Sequence, residues 1–261
     1  MKLYEEIVKG FDPIHLDEMG DVRLMNRTDD KYLFHIDQLP AVLNRAFHDY
    51  QALEIRKQRV LGYESLYFDT SDHLMYLLHH NQKLNRYKIR IRQYLDSQEF
   101  FLEIKFKNNK GRTQKQRITV GGYHSLSEPG SRDFISANSP YSVENIEAKL
   151  YTSFERITLV NPAGKERITL DLNLTLHNNC NSITIPYLVI AEVKHEQSSV
   201  NDGFGKLLQE ERIFPKRISK YCVGTNLLYP ELKHNRFKPK ILYLNKIDRT
   251  KQYDKLYSAI I

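Results

Sequence analysis

Tyr87-Lys88-Ile89-Arg90-Ile91-Arg92-Gln93-Tyr94 and Phe100-Phe101-Leu102-Glu103-Ile104-Lys105-Phe106-Lys107 are the stretches that decide the fold of this chain. In a strand, residues i and i+2 point to the same side. Arg90 and Arg92 therefore share one face of the first stretch. Glu103 and Lys105 share a face of the second, with Leu102, Ile104 and Phe106 opposite. The alternation recurs in Arg112-Thr113-Gln114-Lys115-Gln116-Arg117, in Arg167-Ile168-Thr169-Leu170-Asp171 and in Ile190-Ala191-Glu192-Val193-Lys194. An ordinary two-faced sheet puts its charges in water. Here the charged strands are many and their other faces are apolar. A closed barrel whose lumen is lined with Lys, Arg and Glu fits this pattern better, and such a lumen is a site for polyanions.

Working outward, strands are expected over residues 23–36, 59–69, 86–95, 98–107, 112–120, 153–160, 165–174 and 183–195. Asp96-Ser97 is short enough for a hairpin connection, and residues 108–111 form a turn by composition. Asn161-Pro162-Ala163-Gly164 is a strong turn signal. Helices are expected over 37–47 with Asp37 as N-cap, over 71–81 with Asp69 and Asp72 capping it, and over 144–151 and 204–212. Residues 218–228 form a further helix or an extended lid, and the Gly-, Ser- and Pro-rich stretch 121–141 is an excursion loop. About eight strands, mostly antiparallel, with helices between groups, define an α+β fold. Closure into an eight-stranded antiparallel β-barrel with helices packed outside removes the exposed edges. No linker divides the chain. Residues 1–22 are an N-terminal extension, 23–230 one domain, and 231–261 a basic tail packed on it.

The 261 residues carry a formal net charge of +7. That balance points to anionic partners without choosing among nucleic acid, membrane surface and phosphorylated small molecules. The two cysteines, Cys180 and Cys222, have no metal-ligand spacing and exclude a disulfide framework, which fits a reducing, cytoplasmic setting. The first 21 residues are mixed and acidic with no apolar centre, unlike a signal peptide. No apolar run approaches the roughly 20 residues of a membrane span; residues 187–191 are among the longest, and a soluble protein is expected.

The residue patterns exclude several chemistries. The glycines form neither a Walker A loop nor a G-x-G-x-x-G turn, the histidines show no HxxxH or HExxH pairing, and no G-x-S-x-G elbow is present. The tyrosines interleaved with basic residues suit either RNA or amphipathic strand positions, and no RNP-like motif accompanies them. Arg90 and Arg92 are either a two-pronged clamp on phosphate oxygens, which a guanidinium fork matches, or a solvated strand face. Glu192, at the charged end of an apolar strand and surrounded by bases, is either a salt-bridge partner or a hard ligand for a divalent ion. Glu103, Lys105 and Lys107 are open in the same way to a site role or a structural one, with Lys107 at the end of its strand.

In this order and spacing the residues resemble the catalytic domain of the vacuolar transporter chaperone (VTC) family. The likeness is to its stand-alone bacterial form, the polyphosphate polymerase domain proteins of the triphosphate tunnel metalloenzyme superfamily. It runs from about Asn26 to Leu228. It is carried by Arg27-x-Asp29-x-Lys31-Tyr32, Tyr67-Phe68-Asp69-Thr70, Lys88-x-Arg90-x-Arg92, Glu103-x-Lys105, Lys115-x-Arg117, Phe154-x-Arg156, Arg167-x-x-x-Asp171, Glu192-Val193-Lys194 and Ser219-Lys220-Tyr221. The resemblance implies a basic tunnel in which Lys31, Arg90, Arg92, Lys105, Lys115, Arg156, Arg167 and Lys220 bind the phosphates of ATP and of a growing polyphosphate. Ser219 joins the nucleotide-binding set. Glu192 matches the family's metal-binding glutamate, which implies Mn²⁺ or Mg²⁺. Lys216 is a candidate for a further tunnel base.

Two departures qualify the likeness. The related CYTH triphosphatases open with a Glu-x-Glu-x-Lys strand, whereas here Arg27 stands at the first carboxylate position and Asp29 at the second. This favours a polymerase, which moves the γ-phosphoryl of ATP to a polyphosphate chain, over a triphosphatase. A non-catalytic polyanion-binding module is the third reading. The eukaryotic members also carry a regulatory SPX domain and membrane spans, neither of which is in this sequence. ATP and polyphosphate are the expected partners, nucleic acid is not, and a membrane-protein partner is left open.

Overall fold

The computed structural model describes residues 2–21, 27–163, 165–196 and 203–248. In chain order the elements begin α1 (Leu3–Gly10), β1 (Pro13–Ile14), β2 (Arg27–His35), α2 (Leu39–Ala46), β3 (Gln51–Leu53), β4 (Leu61–Asp69) and α3 (Leu74–His80). The central strands follow: β5 (Arg86–Tyr94), β6 (Glu99–Lys107), β7 (Thr113–Val120), then α4 (Pro129–Asn138) and β8 (Glu147–Asn161). The chain continues with β9 (Glu166–His177), β10 (Ser182–Ile185), β11 (Leu188–Glu196), α5 (Phe204–Glu210), α6 (Lys220–Leu228) and α7 (Lys238–Ile247).

The main sheet runs β2-β11-β9-β8-β4-β5-β6-β7, antiparallel throughout. β10 pairs with β9, β3 with β8, and β1 with β3. This is the α+β antiparallel architecture expected. The expected closed barrel needs correction: among the described residues β2 and β7 end the sheet without pairing to one another. The sheet is curled rather than hydrogen-bonded into a cylinder. The curl still brings its two ends across from each other, since Lys105 on β6 and Glu192 on β11 act on each other electrostatically.

The convex face is apolar and covered. Leu39, Val42 and Leu43 of α2 and Phe204 and Leu208 of α5 pack on Ile157, Leu159, Ile168, Leu170, Val189 and Val193. Farther along, Met75 of α3 and Ile135 of α4 pack on Leu66, Ile89, Ile91, Leu102 and Ile104. Full burial of each such side chain contributes about 1.5–3 kcal/mol. The alternate residues therefore face inward, and the charges of the opening stretches go into the concave side.

The concave side is itself divided. One part is apolar and seats α6, whose residues from Tyr221 to Leu228 are all buried. A helix that is buried all round must lie inside the protein. An irregularity between β8 and β9 near Ser153 and Glu155, with Asn173 in the left-handed region at φ 51°, turns Leu174 and Leu176 into this cluster. The other part holds the charges. Residues 218–228, open between helix and extended lid in the sequence, are thus a core helix.

Several local expectations are corrected. Asp37 does not cap α2. It lies in a 3-10 turn, Ile36–Gln38, and its N–H donates to His35 Nδ1 at 3.2 Å. The expected loop 121–141 contains a 3-10 turn and α4. The expected helix 144–151 is instead the end of a 3-10 turn, Val143–Asn145, followed by the start of β8, which pairs with β4 from Glu147 onward. The expected strand 183–195 is broken into β10 and β11 around Pro186 and Tyr187. Asp69 does cap α3: its carboxylate accepts the N–H groups of Met75 and Tyr76 at 2.8 and 2.9 Å. Asp72 acts one step removed, accepting from the Thr70 hydroxyl, which itself accepts the Leu74 N–H.

Part of the tail forms α7. Residues 249–261, residues 23–26 of the first expected strand and Gly164 of the expected turn lie outside the described residues. Cys180 is exposed, Cys222 is buried, and both are free thiols. Among the described residues no helix is long and apolar enough to cross a membrane.

Candidate active site: a cationic lumen

Strand register decides which side chains meet. Lys88 stands opposite Lys105, Arg90 opposite Glu103, and Lys105 opposite Lys115. Arg156 stands opposite Asp171, Glu192 opposite Lys31 and Thr169, and Lys194 opposite Arg167 and Asp29. Paired residues share a face. Lys31, Arg90, Arg92, Lys105, Lys115, Arg156, Arg167 and Glu192 are therefore all on the concave face. Lys220 and Ser219 reach the same space from the start of α6.

Three carboxylates organise the cations. Glu103, almost completely buried, accepts Arg90 Nε at 2.7 Å and Nη2 at 2.5 Å, and pairs with Lys115. Burial opposes its charge, but Arg90, Arg92 and Lys115 outweigh that and hold its carboxyl well below the usual range. Arg90 donates its remaining arm to the Tyr67 hydroxyl at 2.8 Å. Burial alone would weaken the Arg90 charge, and Tyr67 and Glu103 more than restore it. Among the described residues no carboxylate lies within ion-pair distance of Arg92. Its Nε donates to Ser65 Oγ at 3.1 Å, and burial and then Arg90 pull its pKa down.

Asp171 is the second centre. It receives Arg156 in a two-point fork, Nε at 2.6 Å and Nη2 at 2.9 Å, and pairs with Lys220. Burial opposes its ionisation, and Arg156 and Lys220 reverse the sign and hold its pKa low. An aromatic bed lies beneath these cations. Tyr63 and Phe154 stack at 5.5 Å. Lys220 Nζ lies 4.0 Å from the Phe154 centroid, and Arg156 lies 5.0 and 5.2 Å from the Tyr63 and Phe154 centroids. Ring faces hold cations without cancelling their charge. Burial, only partly offset by Asp171, pulls Lys220 down to about 8.

Glu192 is the third. Lys31 Nζ donates to it, and Lys194 Nζ lies at 3.5 Å. Burial works against its charge, and Lys31 and Lys194 prevail to keep its pKa low. Lys105 projects into the open lumen, so water reaches it although protein walls it on nearly every side. Burial and then Arg90 bring its pKa down to about 7, Glu192 opposing. Cations outnumber carboxylates on this face, and each inner carboxylate is already engaged. The surplus positive charge is thus available to a polyanion.

Some residues fall differently from expectation. Lys216 bonds through its backbone N–H to Lys31 O at 2.6 Å, but its ammonium lies over the Tyr243 ring at 4.9 Å, on exposed surface. Ser219 caps α6 by accepting the Cys222 N–H at 3.3 Å and also accepts Lys88 Nζ at 2.8 Å. Arg27 lies on β2 opposite Glu196, and its side chain is outside the described residues. Lys88, Lys194 and Asp171 appear in the sequence motifs but were given no site role. Their signal is period two from Arg90, from Glu192 and along Arg167–Asp171. Tyr63, Ser65 and Tyr67 alternate in the same way on β4 and carried no charge to draw the eye.

Among the described residues no three His, Cys, Asp or Glu side chains cluster as a metal cage. Glu192 supplies one hard carboxylate at the wall of the cationic lumen. Mg²⁺-type ions are commonly held by one or two carboxylates together with substrate phosphates. The donor set therefore fits an ion that shares its coordination with a bound triphosphate.

A family model described as VTC domain matches residues 26–229. The chain belongs to the VTC domain family. Curated proteins give no match. Among solved structures, this VTC domain is similar to a proposed adenylyl cyclase from Hippeastrum for which a dominant triphosphatase activity is described. Identity is 14%, 77% of this chain and 96% of that one are covered, and the TM-score is 0.53. A proposed adenylate cyclase from Vibrio parahaemolyticus gives 10% identity, coverage of 76% and 99%, and a TM-score of 0.46. A third, from Bacillus halodurans, gives 13%, 75% and 96%, and 0.49. The Hippeastrum likeness places the VTC domain in the triphosphate tunnel fold.

Proposed function

We propose that the chain is a metal-dependent polyphosphate polymerase that moves the γ-phosphoryl group of ATP to the end of a polyphosphate chain. The observation that carries this reading is the gathering of Lys31, Arg90, Arg92, Lys105, Lys115, Arg156, Arg167 and Lys220 around one lumen, with the inner carboxylates already ion-paired. Phosphoryl transfer needs in-line placement and charge neutralisation more than covalent help from the protein. The donor and acceptor are both polyanions and repel each other. Arg90 and Arg156, fixed in forks by Glu103 and Asp171, hold their outward N–H groups where phosphate oxygens can reach them. Arg92, held on aromatic rings and the Ser65 hydroxyl with no paired carboxylate among the described residues, keeps most of its charge for the ligand, and Lys220 adds a second cation from the Asp171 pair. Lys105 on β6 and Lys31 on β2 neutralise phosphate from the two facing ends of the curled sheet. A divalent ion at Glu192 would add Lewis-acid neutralisation at the phosphate oxygens. The curled walls limit water, which strengthens each contact and disfavours hydrolysis.

The Arg27-x-Asp29-x-Lys31 opening supports a polymerase rather than a hydrolase with two entrance glutamates. The Hippeastrum neighbour, described with triphosphatase activity, keeps hydrolysis as the second reading, with water as acceptor on the same scaffold. The test is incubation of the purified chain with ATP and Mn²⁺, with products separated on a gel stained for polyphosphate. A ladder of long chains with matching ADP is expected. ADP with orthophosphate alone would give the triphosphatase, and tight polyanion binding without turnover would give a binding module.

A further inference from the structure

The end of the lumen where β5 begins and β6 ends carries a second set of cations beyond the three carboxylate centres. Arg86 and Lys107 face one another there across the β5–β6 register. Lys88 follows one step inward on the same face. Arg217, from the segment before α6, and Lys240, from the first turn of α7, close in from the side. The groups lie within each other's fields. Burial and then Arg86, Arg217 and Lys88 lower Lys107. Burial lowers Lys240, Cys222 opposes it, and Lys88 and Arg217 add to the lowering. His79, at the end of α3, is pushed down to about 2 by burial and then by Lys88, Arg86, Lys240 and Lys107, so it stays neutral and brings no relief.

Among the described residues no carboxylate pairs with Arg86, Lys88, Lys107, Arg217 or Lys240. This contrasts with the chamber, where Glu103, Asp171 and Glu192 each tie down cations. Concentrated like charge without counter-charge costs stability, and it is retained where an anion supplies the balance. The placement is also rigid. Phe237, Ile241 and Leu244 of the α7 region are buried in the core that holds α6, and Phe237 stacks on Tyr76 at 5.8 Å. α7 lies beyond residue 229, where the family match ends.

We propose that this mouth is a second phosphate-binding stretch, where Arg86, Lys107, Arg217 and Lys240 hold the part of an inorganic polyphosphate chain that extends beyond the chamber. Lys88, opposite Lys105, joins the two stretches into one track. That continuity favours a slender chain of phosphates over a base-bearing polymer. The inference rests on the polyanion reading of the chamber and adds to it a preference for length. A long chain touches both stretches, and the second contact is intramolecular once the first is made, so it multiplies affinity. Tripolyphosphate is too short to use both.

The experiment is calorimetric binding of tripolyphosphate and of long-chain polyphosphate to the full chain, compared with the variant Arg217→Glu/Lys240→Glu and the single variant Lys240→Ala. Neither residue belongs to the chamber. The wild type is expected to bind long chains at least about tenfold more tightly than tripolyphosphate. The double variant is expected to lose that advantage while its tripolyphosphate affinity stays within about twofold. Lys240→Ala, which removes charge without reversing it, is expected to fall between. Equal wild-type affinity for both ligands, or an equal loss for both in the variant, would overturn the second stretch alone. No tripolyphosphate binding by the wild type would overturn the chamber reading and this inference with it. Single-stranded RNA competing as well as long-chain polyphosphate would also overturn the assignment.

Discussion

Arg90 and Glu103 stand directly opposite one another on β5 and β6, and two guanidinium nitrogens, at 2.7 and 2.5 Å, share one oxygen of a carboxylate that solvent hardly reaches. Lys115 takes the other oxygen. Glu103 is therefore the counter-charge for Arg90 and Lys115, and its field also reaches Arg92. Removing one partner of a buried pair leaves an uncompensated charge, at a cost of about 3–5 kcal/mol. Glu103→Gln is expected to lower stability on that scale in urea unfolding. Saturating tripolyphosphate is expected to restore part of the loss, because the ligand supplies the missing negative charge. Loss without ligand rescue would mean that Arg90 does not face the phosphate site.

Glu192 differs from Glu103 in that it is the candidate metal ligand and is less deeply buried, while both carboxylates hold candidate phosphate ligands, Lys31 here and Arg90 and Lys115 there. Glu192→Ala is expected to keep the far-ultraviolet spectrum of the fold while Mn²⁺-dependent ATP turnover falls by at least about a hundredfold. Arg90→Ala, by contrast, is expected to weaken tripolyphosphate binding directly. Normal metal-dependent turnover in Glu192→Ala would remove Glu192 from the metal site.

Most of this site was legible because alternation is a strong signal when the opposite face is apolar. Ile89, Ile91, Leu102 and Ile104 are all buried, which forces Arg90 and Glu103 to the inside. The misreadings arise where local preference and tertiary pairing disagree. Glu147-Ala148-Lys149-Leu150 has a helical composition, yet it pairs with β4 as strand, since burial of Leu150 against α6 outweighs propensity. α4 was hidden because only Ser131 and Ile135 of its ten residues are buried, leaving little apolar stripe to detect. Hydrogen-bonded closure was not legible either. Patterning specifies which face is inward, but not whether the first and last strands meet.

Lys105, at about 7, and Lys220, at about 8, give the chamber a pH dependence whose direction follows from charge. Both ammonium groups are held below their unfolded value by burial. In the free protein Lys105 loses its proton as pH rises through about 7, and Lys220 as it rises through about 8. Bound phosphate favours the protonated forms. Tripolyphosphate binding is therefore expected to take up protons near pH 7.5, and affinity to fall from pH 6.5 to 8.5. Calorimetry in buffers of different ionisation enthalpy measures the uptake. Lys105→Arg is expected to reduce it. Stability runs the other way: above these values the unfolded chain binds more protons than the folded one. The ligand-free protein is thus expected to gain stability as pH rises toward about 10. Proton release on binding would contradict the assignment of Lys105 to the phosphate wall.

The aromatic bed makes a separate prediction. Phe154 lies beneath Lys220, Arg156 and, at 5.9 Å, Arg92. Phe154→Leu keeps the site apolar but removes the ring face. Each such cation–π contact is worth about 1–2 kcal/mol. Tripolyphosphate affinity is expected to fall about three- to thirtyfold, with unfolding little changed because Leu still fills much of the volume. Unchanged affinity would mean that Asp171 alone positions Lys220 and Arg156.

Gly224 tests the dependence of the chamber on its internal helix. A Cβ built there would meet Leu150 Cδ2 at 2.7 Å and Leu176 Cδ2 at 3.1 Å. Alanine is the better helix former by about 1 kcal/mol, so Gly224→Ala would stabilise the protein if those leucines could yield. Leu150 and Leu176 are fully buried, and overpacking at such sites costs about 1–3 kcal/mol. The clash should win. α6 would move off β8 and β9, carrying Lys220 away from Asp171 and Ser219 away from Lys88. Gly224→Ala is therefore expected to lower both stability and tripolyphosphate affinity. Leu150→Ala lies opposite and opens room for the new methyl, so the double variant is expected to be more stable than the sum of the two changes. Strict additivity would show that Gly224 is not in contact with Leu150 and that the seat of α6 lies elsewhere.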